Sequence, residues 1–287
     1  MSQPMEQVST AAGDVAGSIV VAVDGSDHSD RAVRWAVEQA ALETRPLVAV
    51  AVAGDTGTAA EDAVAAARGL APDLPVRGAS VAGEPREVLI DLSTEAHLLV
   101  VGSRGRGSLR GILLGSVSAA VSAQSACPVV VCRPSGGDPV QSGVLVGADG
   151  TPESRAVIEF AYRQASLRGL PLTVLHCFWD AAAAVAQYRE ARGQTVVPPD
   201  LEELRAALSE AVAGLAEQYP DVPVTLTLKH GFADQALGPR HGGWDLVVVG
   251  RHPMTSLGRV FTGSIATTVV ERAHGPVAVV PVAAPPD

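Results

Sequence analysis

Aromatic side chains are scarce: four Phe, three Tyr and three Trp make up 3% of a 287-residue chain that is 47% hydrophobic. Any core must therefore be built of Val, Ala and Leu, which suits buried parallel strands flanked by helices better than an antiparallel sandwich. Cysteine is also rare. Cys127, Cys132 and Cys177 form an odd set at spacings that fit no zinc or redox motif, which points to small buried side chains rather than disulfides. Runs of Lys and Arg are missing, and a formal net charge of −10 leaves no field to attract a nucleic-acid backbone. No stretch approaches the ~20 apolar residues of a membrane span. The opening MSQPMEQVSTAAGD has neither a basic nor an apolar leader region. Together these absences predict a cytoplasmic protein with neither a membrane nor a nucleic-acid partner. The seven His residues show no i, i+4 pairing on a helix, so no metal centre is expected.

What the chain does have is a repeat. Asp24-Gly25-Ser26 recurs as Asp149-Gly150-Thr151, 125 residues later, and the same separation pairs Trp35 with Phe160, Gln39 with Gln164 and Pro46 with Pro171. Further along, Gly83, Gly102, Gly115, Ser116 and Pro128 pair with Gly231, Gly250, Gly263, Ser264 and Pro276 at a separation of 148. The 23-residue jump between the two separations locates an insertion in the second half, around Trp179 to Asp200.

Each half alternates short apolar runs with helical stretches, the sign of βαβ units and a parallel sheet. In the first half the runs are 18–24, 46–53, 75–82, 97–102 and 128–133, with helices predicted over 27–43, 58–70, 84–96 and 116–124. Residues 134–142, PSGGDPVQS, read as a linker between domains at 17–133 and 143–283, and residues 1–16 as a disordered tail.

The chemically informative segment is Gly102-Ser103-Arg104-Gly105, which follows a Val-rich run and precedes Gly115-Ser116 at the start of a predicted helix. Glycines let a backbone approach a ligand closely, and a helix N-terminus presents unpaired N–H groups at the positive end of its dipole. Together they suit phosphate. Taken singly, Gly102 is an ordinary strand end, Ser116 an ordinary helix cap and Asp24-Gly25-Ser26 ordinary turn chemistry.

Jointly, Gly-x2-Gly-x9-Gly-Ser after a strand, Asp-Gly-Ser after the first strand and Gly83-Glu84-Pro85 after the third resemble the ATP-binding branch of the universal stress protein family. The likeness covers both halves, roughly 18–133 and 143–282. It implies an α/β fold: two tandem open five-stranded parallel sheets of order 3-2-1-4-5 with flanking helices, a Rossmann-like arrangement of the adenine-nucleotide α hydrolase type. In such a sheet, ligands bind beyond the carboxyl ends of the first and fourth strands. The likeness further implies ATP, with or without Mg2+, as the ligand of a regulatory module that has at most weak ATPase activity. Asp24 and Val52 would meet the nucleoside. Gly102, Arg104, Gly105, Gly115, Ser116 and Val117 would wrap the ribose and phosphates. A weaker second site would use Asp149, Gly250, Gly263, Ser264 and Ile265, because Pro253 stands where the first half has Gly105 and has no N–H to donate. The last strands of the two halves are expected to pair as a pseudo-dimer within one chain; association of two chains stays open. A structural or interaction protein without nucleotide is the alternative.

Other phosphate motifs fail. Gly102 and Gly107 have the Walker spacing, but Ser108 and Leu109 stand where that loop needs Lys and Ser or Thr. Gly105, Gly107 and Gly111 miss the dinucleotide fingerprint by one residue and follow the fourth strand rather than the first. An ATP-pyrophosphatase would need a Ser-Gly-Gly loop where this chain has Asp24-Gly25-Ser26-Asp27.

Overall fold

The computed structural model describes residues 15–52, 58–105, 113–134, 143–178, 200–238, 243–251 and 265–282. In the first half, β1 (Ile19–Val23), β2 (Leu47–Val52), β3 (Val76–Val81), β4 (Leu98–Gly102) and β5 (Val129–Cys132) alternate with α1 (Asp27–Glu43), α2 (Ala59–Leu70), α3 (Pro85–Leu92) and α4 (Ser116–Gln124). The second half repeats this with β6 (Val144–Gly147), α5 (Arg155–Arg168), β7 (Leu172–Phe178), α6 (Leu201–Gln218), β8 (Val224–His230), α7 (Ala233–Leu237), β9 (Leu246–Arg251), α8 (Ile265–Arg272) and β10 (Val277–Pro281). The predicted insertion at 179–199 and most of the predicted linker lie outside the described residues. Val15, read from sequence as part of the tail, is buried in the core.

The strand order is β3-β2-β1-β4-β5-β10-β9-β6-β7-β8, so each half has the order 3-2-1-4-5 and the two sheets merge edge to edge. Pairing is parallel throughout except at the seam, where β10 runs antiparallel to β5 with Val277 opposite Val131, Ala278 opposite Val130 and Val279 opposite Val129. Because Val129 and Val277 are repeat equivalents, the register is self-complementary about Val130 and Ala278. A two-fold interface between identical subunits has this form; here it is closed within one chain. The pairing also removes one exposed edge from each half.

Strands buried on both faces read as unbroken apolar runs, and LLVVG in β4 and VVVC in β5 are buried at every position. One apolar core lies under α1, α2, α5 and α6 and the other under α3, α4, α7 and α8, and each continues across both halves. Helix α3 ends at Leu92, earlier than periodicity predicts. The Ser93 hydroxyl turns back to the Ile90 carbonyl and the Thr94 hydroxyl to the Asp91 carbonyl, local bonds that compete with the helix ladder. No helix among the described residues is long and apolar enough to cross a membrane.

Candidate functional site

At the carboxyl edge of the first half, β1 hands over to α1 through a tight turn at Asp24. The Asp24 Oδ1 atom accepts from the Ser26 amide at 3.1 Å and from the Ser26 hydroxyl at 2.7 Å, and the Ser26 side chain in turn caps α1 by accepting from the Ser29 amide. The turn requires Gly25 at φ +72°. Its effect is to hold the second carboxylate oxygen against the loop after β4. A Cβ on Gly105 would stand 2.6 Å from Asp24 Oδ2.

Gly102 answers a different contact. A Cβ there would lie 2.8 Å from the His28 backbone, so glycine lets the first turn of α1 cross the end of β4. The Gly115 amide donates to the Ser103 carbonyl at 2.8 Å, and a Cβ on Gly115 would come within 3.3 Å of the Arg104 Cα. Gly115, not Ser116, occupies the cap position of α4 and has no side chain with which to cap it. Ser116 is the exposed first residue of the helix, and Val117 packs partly on the core beneath. Val52 is the last residue of β2, one beyond the Val23–Ala51 pair and hence level with Asp24 on the neighbouring strand. The structure thus gathers Asp24, Gly102, Arg104, Gly105 and Gly115 tightly, with Val52, Ser116 and Val117 flanking them.

Sequence reasoning missed five residues that build this edge. His28 Nδ1 accepts from Arg31 Nη2 at 2.8 Å and lies 3.1 Å from the buried Ser103 hydroxyl. Burial first, then the charges of Arg31 and Arg104, push the His28 pKa down despite Asp24 and Asp27, which favours the neutral ring. Ser118, buried in α4, donates its hydroxyl to the Gly102 carbonyl at 2.6 Å and ties the helix to the strand end. Arg133, just after β5, donates to the Leu113 carbonyl at 2.8 Å and to the Ala273 carbonyl, past the end of α8, at 2.7 Å. The only sequence signal for any of them is that His28 falls in the first turn of the helix predicted over 27–43, just after Asp24. Two guanidinium nitrogens here, Arg31 Nε and Arg104 Nε, are buried without a hydrogen-bond partner among the described residues. Such donors are costly to leave unpaired.

The second half repeats only part of this. Asp149 Oδ1 accepts from the Thr151 amide at 3.1 Å and hydroxyl at 2.7 Å, the same turn as Asp24, but Asp149 is exposed where Asp24 is half-buried. A 3-10 turn, Pro152–Ser154, delays α5 until Arg155. Gly250 sits within β9, opposite Val280, because the strand continues to Arg251, whereas the equivalent β4 ends at Gly102. Arg251, the equivalent of Ser103, reaches across the seam and donates to the Ala123 carbonyl at 2.7 Å and to the Ser125 carbonyl, at the far end of α4. Ile265 opens α8 and is exposed. Gly263, Ser264 and Pro253 lie outside the described residues.

Comparison with known proteins agrees with this architecture. The profile of the universal stress protein family matches residues 17–133 and again 143–281. A universal stress protein of Mycobacterium tuberculosis, Rv2005c, is 32% identical over 298 residues, covering 91% of this chain and 96% of that protein. One from Mycolicibacterium smegmatis is also 32% identical, over 301 residues, with the same coverage. Among solved structures, a universal stress protein from Archaeoglobus fulgidus superposes with a TM-score of 0.62 at 18% identity, covering 92% of this chain and 96% of that one. A protein of unknown function from Pseudomonas aeruginosa, PA1789, superposes with a TM-score of 0.66 at 17% identity, covering 95% of each chain. The repeated fold, the family match to each half and the full-length relatives together establish that this chain belongs to the universal stress protein family, in its tandem form.

Proposed function

We propose that the first half binds an adenine nucleotide, ATP, at the carboxyl edge of β1 and β4, and that the chain acts as a nucleotide-responsive regulatory module. The observation that carries this reading is the donor set: the start of α4 with glycine at its cap position, a glycine loop packed against it, and a buried Arg104 nitrogen without a partner among the described residues. Backbone N–H groups and a guanidinium, grouped beside close-packed glycines, are a chemistry suited to phosphate oxygens. Asp24 and Val52 are assigned to the nucleoside, Gly102, Arg104, Gly105, Gly115, Ser116 and Val117 to the ribose and phosphates. The same reading gives Asp149, Gly250, Gly263, Ser264 and Ile265 at most a weaker second site.

Isothermal titration with ATP tests it, together with analysis of the supernatant of denatured protein for co-purified nucleotide. The expected outcome is one strong site, lost in Gly115→Val, whose side chain would drive into the Arg104 backbone. No heat at millimolar ATP and no nucleotide in the supernatant would overturn it.

One observation favours a second reading, a structural or interaction protein without nucleotide. Gly102 and Gly105 each have a packing reason, the His28 backbone and the Asp24 carboxylate, that requires no ligand. Under that reading Gly115→Val alters stability alone.

A further inference from the structure

Helices α1 and α5 flank the seam on one face of the sheet, and their contacts follow the same pseudo-two-fold axis as β5 and β10. At a separation of 125, Glu38 is equivalent to Arg163, Gln39 to Gln164 and Glu43 to Arg168. The carboxylates are all in the first half and the guanidiniums all in the second. Arg168 Nη1 donates to Glu38 at 2.9 Å and Arg168 Nη2 to the Gln39 carbonyl oxygen at 2.6 Å, with the guanidinium lying over the Trp35 ring at 5.2 Å. The two-fold operation turns the Gln39–Arg168 contact into Gln164–Glu43, which is also present: the Gln164 amide donates to Glu43 Oε1 at 3.5 Å. It turns Glu38–Arg168 into Arg163–Glu43, and the Arg163 charge indeed acts on the Glu43 carboxylate.

The two glutamines explain how one interface tolerates both signs. Gln39 and Gln164 are fully buried, and an amide has an acceptor oxygen and a donor NH2. Facing a guanidinium, Gln39 accepts; facing a carboxylate, Gln164 donates. The inversion extends one position further. His97 contacts Glu43 Oε2 at 2.6 Å, and its equivalent at a separation of 148 is Asp245, whose charge acts on Arg168. Three equivalent positions thus carry Glu, Glu and His in one half and Arg, Arg and Asp in the other.

We infer that this seam selects its own complement: the surface around α1 fits a domain of the same fold carrying Arg, Arg and Asp at the equivalent positions, as the second half does, and rejects a second copy of itself. Two first halves joined about this axis would set Glu38 of each against Glu43 of the other, where both glutamines could donate but the guanidinium beside Glu43 is each half's own Arg45, which already pairs with Glu43 Oε2 at 3.3 Å and leaves Glu38 without the partner that Arg168 gives it. Two second halves would oppose Arg163 and Arg168. Setting like charges against the buried Glu43 or Arg168 side chain costs far more than pairing it with its opposite.

The full chain provides the test. The triple variant Arg163→Glu, Arg168→Glu, Asp245→His converts the second half's set to the first half's, opposing inside one molecule the charges that two first halves would oppose at these three positions. Its melting temperature should fall by roughly 10 °C, from setting new carboxylates beside the buried Glu43 and removing the buried Arg168 guanidinium from Gln39 and the more exposed Glu38. Adding Glu38→Arg, Glu43→Arg and His97→Asp exchanges the whole pattern and should recover more than half of that loss, with Gln39 and Gln164 trading roles. A six-site variant no more stable than the triple overturns the inference, as does a triple variant that melts with the parent. Should both multiple variants fail to fold, a cycle of Glu38→Gln, Arg168→Gln and the pair decides: the inference requires the double variant to melt higher than the sum of the single losses, and additive losses overturn it.

Discussion

The two halves share a fold and a turn at Asp24 and Asp149, yet they spend their polar residues in different places. In the first half buried hydroxyls hold the carboxyl edge: Ser103 faces His28, and Ser118 fastens α4 to the end of β4. At the equivalent positions the second half has Arg251 and Ala266. Arg251 points away from its own edge to the end of α4 across the seam, and Ala266 is simply buried in the core. One half has a braced carboxyl edge, and the other has given part of that edge over to bracing its neighbour. A repeat therefore conserves topology far more strictly than it conserves a site, because strands and helices depend on apolar periodicity, while a site depends on a few side chains that nothing else requires.

The sharpest way to break the comparison is acid. Glu43 and Arg168 are equivalent, but only the carboxylate titrates in an accessible range. Burial works against the charged Glu43, but the His97 hydrogen bond, the Arg163 charge and the Gln39 amide outweigh it and hold its pKa near 2, against an ordinary 4.5. A depressed carboxylate stabilises the fold fully above its unfolded pKa, and the contribution disappears as pH falls from about 4.5 towards 2. The lowered pKa corresponds to at most about 3 kcal/mol. Glu43→Gln should therefore be less stable than the parent at pH 7, with the gap closing below pH 4 in denaturant titrations. A gap that stays constant between pH 6 and pH 3 would show that Glu43 is not held charged by these partners.

A smaller effect separates the two turns. Asp24→Ala removes the carboxylate packed on Gly105, whereas Asp149→Ala removes an exposed one. ATP affinity should fall about ten- to a hundredfold in the first, the value of one or two charge-assisted hydrogen bonds, and stay within about twofold in the second. Equal losses in calorimetry would mean that the halves bind as one site and that the residue assignment is wrong.

Much of this was readable before any coordinates. The limits of α1 and α4 follow from periodicity and from the Asp-Gly-Ser and Gly-Ser signals, while the seam follows from the family resemblance. The cluster of His28, Arg31, Ser103 and Arg104 was not, because it forms only where the first turn of α1 crosses the end of β4, some 75 residues apart in the chain. Ser118 was hidden for the same reason: a Ser inside a helix has no pattern that says its hydroxyl will find a strand carbonyl. The inverted charges at 38 and 163 stood in the repeat alignment throughout, but they mean nothing until α1 and α5 are seen to face each other. In the sequence Gly102 and Gly105 signal room for a ligand, and the structure adds a reason internal to the fold.

The smallest predicted difference lies at the ends of α1 and α5, where the halves solve one problem with different residues. Both helices end in a left-handed residue, Thr44 at φ 52° and Gly169 at φ 62°. Each is followed by an amide that reaches back five residues, Arg45 to the Ala40 carbonyl at 3.0 Å and Leu170 to the Ala165 carbonyl at 2.9 Å. This paired closure suits glycine, which has no Cβ to crowd the following carbonyl. A β-branched residue there is strained by roughly 1–2 kcal/mol, and glycine returns part of that through the greater freedom it gives the unfolded chain. Thr44 is exposed, so its side chain has little packing to lose. Thr44→Gly should thus stabilise the protein by up to about 1 kcal/mol, visible as a rise of about 2–4 °C in melting temperature. Gly169→Thr should do the reverse by a similar amount. If Thr44→Gly lowers the melting temperature instead, the Thr44 side chain contributes more to the folded state than its strain costs, and the two helix ends are not equivalent solutions.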